Sequence, residues 1–114
     1  MNKDFDLFQK EYKKWQRRFG LTGYTVYFKY EPIGTRFAQI GVDFDQQVAT
    51  VSLNSELPKD NEPFKDIKLA AKHEAIHLLL GQLEFIGKCR YVQPEEFTVA
   101  TENLTNKLEE LIKD

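Results

Sequence analysis

The chain has 114 residues, 30% of them charged and 41% hydrophobic, with a formal net charge of -2, the balance of one ordinary globular domain spanning 1–114. So small a net charge gives no general attraction for polyanions, and no apolar run approaches membrane-spanning length, so neither a nucleic-acid nor a membrane partner is expected. The single cysteine, Cys89, excludes an internal disulfide, and with a charged start that no signal core follows it leads to the expectation of a cytoplasmic protein.

Phe5, Phe8, Tyr12, Trp15 and Phe19 recur at steps of three and four, which predicts an amphipathic first helix ending at Gly20. The basic run 13–18, interrupted by Trp15 and Gln16, reads as that helix's wet face. Residues 24–30 are dense in β-branched and aromatic side chains and stop before Pro32, a strand signature. A second strand is expected from Arg36 to about Asp43. Asp45-Gln46-Gln47 then turns the chain into a third strand at 48–54. Pro58, Asp60, Asn61 and Pro63 make a helix-breaking connection, with Asp60 or Asn61 a candidate cap for a long apolar helix from about Phe64 to Leu83. Gly81 and Gly87 flank its expected end. Pro94-Glu95-Glu96 opens a last helix, with Phe97, Ala100, Leu104, Leu108 and Leu111 as its apolar stripe. The expected fold class is α+β: an N-terminal helix, a small three-stranded, mainly antiparallel sheet, then two helices.

His73-Glu74-Ala75-Ile76-His77 places both histidines of the chain in the His-Glu-x-x-His pattern of a catalytic zinc site. On a helix the two imidazoles share a face, where one small cation takes a nitrogen from each. Glu74 points about a quarter turn away, free to act on water beside the metal without ligating it. The neighbours Leu69, Ala70, Ala71, Ile76, Leu78 and Leu79 mark a buried helix, where unpartnered imidazoles and a carboxylate would cost several kcal/mol. Such a site needs a third protein ligand. The extended motif with a third histidine is absent, because Leu80 and Leu83 stand where it requires Gly and His. Glu95, Glu96, Glu102 and the thiol of Cys89 remain as candidates.

Trp15-Gln16 leading into Leu21-Thr22-Gly23-Tyr24, the hairpin ending in strand 48–53, the run His73-Glu74-Ala75-Ile76-His77-Leu78-Leu79-Leu80, Arg90-Tyr91-Val92 and an acid-rich closing helix together form a pattern over nearly the whole chain. It resembles a family of small zinc metallopeptidase-like proteins encoded by phages and mobile elements. The resemblance implies a minimal zincin-like, gluzincin-like fold that holds one Zn2+ per chain through His73, His77 and Glu102. It makes Glu74 the catalytic acid/base and a peptide or protein the substrate. Projected at the helical period, Glu102 lies off its helix's apolar stripe, on the side of Thr98 and Glu109. The expected function is therefore a zinc-dependent metallopeptidase, with a free sheet edge to hold extended substrate and Tyr91 a candidate to assist the oxyanion. The alternative is a metal-stabilised interaction module without catalysis.

Overall fold

The computed structural model describes residues 2–88, 91 and 93–111, without the side chains of 82, 86, 100, 104, 107, 110 and 111. The first helix, α1, is Lys3–Arg18, and its start is fixed by Asn2, whose Oδ1 accepts the Phe5 N–H at 3.0 Å. Its apolar stripe buries Phe8, Tyr12 and Trp15 completely or nearly so. At its exit, Gln16 Nε2 donates to the carbonyls of Leu21 at 2.8 Å and Tyr24 at 3.1 Å. That pair ties the helix end to the first strand, with Gly20 at φ 72° making the reversal open to a residue without Cβ.

The strands are β1 (Thr25–Glu31), β2 (Ala38–Asp43) and β3 (Val48–Asn54), in the order β1-β3-β2. β2 and β3 form the expected antiparallel hairpin, with Gln47 at φ 55° in the turn and Asp43 Oδ1 accepting from Gln46 N–H at 3.1 Å. β1, however, pairs with β3 in parallel, so the sheet is mixed rather than mainly antiparallel. The cause lies in connection 32–37, which passes over the end of β3 and spans two inter-strand spacings, about 9.6 Å. A buried side chain, Asn54, holds it there. Its Nδ2 donates to the carbonyls of Gly34 at 2.9 Å and Arg36 at 2.7 Å, and its Oδ1 accepts from Ile33 at 3.3 Å and Glu56 at 2.9 Å. All four hydrogen-bonding positions of one amide are thus used, supplying partners that irregular backbone over a strand end would otherwise lack.

One sheet face carries Val26 and Phe28 on β1, Ala49, Val51 and Leu53 on β3, and Ala38, Ile40 and Val42 on β2, and it packs on the helices. Phe28 meets Phe8 and Tyr12 edge-on, at centroid distances of 6.4 and 5.5 Å. The second helix, α2, is Ile67–Lys88, preceded by a short 3-10 turn at Glu62–Phe64. Its cap is Asp66, whose Oδ1 accepts from Leu69 N–H at 3.0 Å, not Asp60 or Asn61; the 3-10 turn occupies the residues between. Nor do the glycines end the helix, which runs through Gly81 and Gly87. A Cβ on Gly81 would lie 2.7 Å from Phe44 Cζ, and one on Gly87 would overlap the Phe97 ring, so both glycines let an aromatic ring rest on the helix backbone. The third helix, α3, is Pro94–Leu111. It packs against α2, with Thr101 and Thr105 buried and their hydroxyls donating one turn back to Phe97 and Thr101 carbonyls at 2.8 Å. No helix among the described residues is long and apolar enough to cross a membrane.

Candidate metal centre

α2 packs α1 through Ala71, Ala75 and Leu78, so His73 and His77 are turned toward α3. Their Nε2 atoms are 3.2 Å apart. From α3, Glu102 sends Oε1 to 3.4 Å from His73 Nε2 and Oε2 to 3.3 Å from His77 Nε2. Behind His73, Glu109 Oε1 lies 3.2 Å from Nδ1. A carboxylate there accepts a hydrogen bond from Nδ1–H, which leaves Nε2 of the neutral ring as a lone-pair donor aimed at the cluster. Three electron-rich side chains therefore converge. A proton bridges one pair of them at a time, whereas a divalent cation satisfies all three.

The spacing can be tested against a particular ion. Around a tetrahedral zinc with bonds of 2.0–2.1 Å, ligand atoms stand about 3.3–3.4 Å from each other. The separations found here, 3.2 Å between the imidazole nitrogens and 3.4 and 3.3 Å from them to the two oxygens of Glu102, are of that size, and one donor atom from each side chain lies within 4.8 Å of the others. Two imidazoles and a carboxylate are also a donor set that suits zinc and leaves a fourth position open. The residues present fit the group: His73, His77 and Glu102 can hold a metal ion. Burial lowers the pKa of His77, against the pull of Glu102, and so favours the neutral imidazole that a metal requires.

Glu74 is buried at 6% exposure and outside this group of three. Burial raises its pKa to about 7; the neighbouring His73 opposes the rise, Glu102 adds to it, and Arg36 and Glu109 make smaller contributions of opposite sign. A carboxylate poised near neutrality can both take and return a proton at physiological pH. It shares with the histidines a cavity of about 760 Å³ bounded by α2, β2 and α3. A second buried group, the hydroxyl of Tyr12, has no hydrogen-bond partner among the described residues and faces the charge of Glu74.

Of the third-ligand candidates, Glu102 alone joins the histidines among the described residues. Glu95 and Glu96 are exposed in the first turn of α3, about 9–10 Å from Glu102 along its axis. Cys89 lies outside the described residues. Tyr91 is fully exposed and does not line the cavity. Glu109 was not singled out as a site residue, although Thr98, Glu102 and Glu109 share one side of α3 at steps of four and seven. That side, off the apolar stripe, is the one that faces the cavity. Glu109→Gln is expected to weaken metal binding by about 10–100-fold while leaving all three ligands in place, as measured by competition with a chromogenic chelator. Unchanged affinity would leave Glu109 a bystander. Comparison with known protein families, with curated proteins and with solved structures gives no match.

Proposed function

We propose that the chain is a zinc-dependent peptidase with a minimal zincin-like fold, of the small metallopeptidase-like kind its sequence resembles. The observation that carries this reading is the meeting of His73, His77 and Glu102, with ligand atoms within 4.8 Å of one another, beside a buried carboxylate that is not needed as a ligand. A bound zinc ion would supply Lewis-acid polarisation of a peptide carbonyl and acidify water toward neutrality. Glu74 supplies the proton traffic, accepting a proton from the attacking water and delivering it to the leaving amine. Glu109 holds the His73 ring in register, and β2, an edge strand beside the cavity, offers backbone groups to an extended substrate.

A non-catalytic, metal-stabilised module would use the same three ligands to join α2 to α3. Against it stand the open cavity and Glu74, since a purely structural zinc is closed by a fourth ligand. Purified protein is expected to carry about one zinc per chain, and to lose cleavage of a peptide library on chelation and recover it on adding zinc back. Cleavage that survives complete chelation would end the metal-dependent reading. Loss of thermal stability on chelation, with no cleavage by the loaded protein, would select the module.

A further inference from the structure

The geometry points to the cavity as a cleft for an extended peptide segment that carries bulky apolar side chains on both sides of the scissile bond, about seven residues apart. The inference rests on the peptidase reading and adds the substrate class. The cleft follows one face of α2 and ends in apolar walls. At one end are Phe64 and Leu69, 75% and 40% exposed; at the other, Phe85 is 47% exposed and its ring lies tilted against Phe44 at 5.4 Å between centroids. Large apolar side chains this open, lining a cavity that also contains the metal cluster, are surface for a ligand to cover. Gly81 helps to set the far wall, because only a residue without Cβ lets the Phe44 ring lie on α2 at that position.

The spacing follows from the helix. Leu69 and Phe85 are about 24 Å apart along α2, a distance that about seven residues of extended chain cover. The histidine pair stands about 9 Å from the first wall and about 15 Å from the second. The walls are thus reached about three residues to one side of the bond and four or five to the other. Between them runs β2, an edge of the sheet. Ala38 and Ile40 from one of its faces and Gln39 from the other all line the cavity, so the space reaches around the strand edge, where a peptide adds as a further strand. Backbone pairing holds any sequence, and the two walls choose among sequences by side chain.

The test measures binding apart from turnover. A fluorescein-labelled peptide of about ten Ala and Ser residues, with two Phe about seven positions apart, is titrated with zinc-loaded protein and followed by anisotropy. It is expected to bind at least about tenfold tighter than the same peptide with both Phe replaced by Ala. Phe64→Ser and Phe85→Ser should each remove most of that preference with the thermal midpoint of Phe64→Ser unchanged. Equal binding of the two peptides, or a preference that both variants retain, overturns the cleft assignment. Preferential binding without any cleavage leaves the cleft and removes the peptidase, whereas cleavage that ignores the Phe residues does the reverse.

Discussion

Glu74→Gln is expected to keep the metal and to lower peptide cleavage by about a hundredfold or more, the contribution of a general base. The substitution preserves the side-chain shape in its buried site and changes none of the three converging ligand side chains. An amide, however, cannot accept the proton. Metal content and kcat are the measurements, and a variant that cleaves as fast as the parent would remove Glu74 from the chemistry. The substitution also has a signature in the metal-free protein. The folded-state pKa of Glu74 is raised from 4.5 to about 7, chiefly by burial, so between those values the folded state binds the proton more tightly than the unfolded chain. Its contribution to stability is fully present below about pH 4.5 and lost as pH rises to about 7. Glutamine has no such titration, and the parent should lose stability relative to the variant across that window.

Glu102→Ala is expected to weaken zinc binding by at least about a hundredfold, because it reduces a three-point site to two imidazoles four residues apart on one helix. Glu95→Ala and Glu96→Ala should leave affinity unchanged, since both side chains are exposed and outside the cluster. Glu109 cannot substitute for the missing ligand in its observed position, since it meets Nδ1 on the other side of the His73 ring. Affinity that survives loss of Glu102 would mean that another donor completes the site, and would overturn the ligand set described above.

The helices and strands were legible where the cause is local. Aromatic spacing marks α1, β-branched density marks β1 and β3, and the pair His73 and His77 needs only the helical period. What was missed depends on contacts between segments. Gly81 and Gly87 look like helix terminators until Phe44 and Phe97 are placed on the same backbone. The parallel pairing of β1 with β3 is invisible in either strand, because strand order is decided by connection 32–37 and the Asn54 clamp across it. Glu102 came from resemblance and not from pattern, since an off-stripe glutamate on a helix is ordinarily a solvated one. Only the packing of α3 on α2 separates its cavity-facing side from its wet side, and the same packing explains why Glu109 went unremarked.

The position of Glu102 on a different helix from the histidines has an entropic consequence. An ion held by His77 and Glu102 closes a loop of about 25 residues, the task that a disulfide performs in an oxidising compartment. By the chain-entropy relation for such cross-links, closing a loop of that size removes about 3.5 kcal/mol of conformational freedom from the unfolded chain. The same three side chains that would prepare the chemistry would then act as a reversible clasp, released whenever the surroundings compete successfully for the ion.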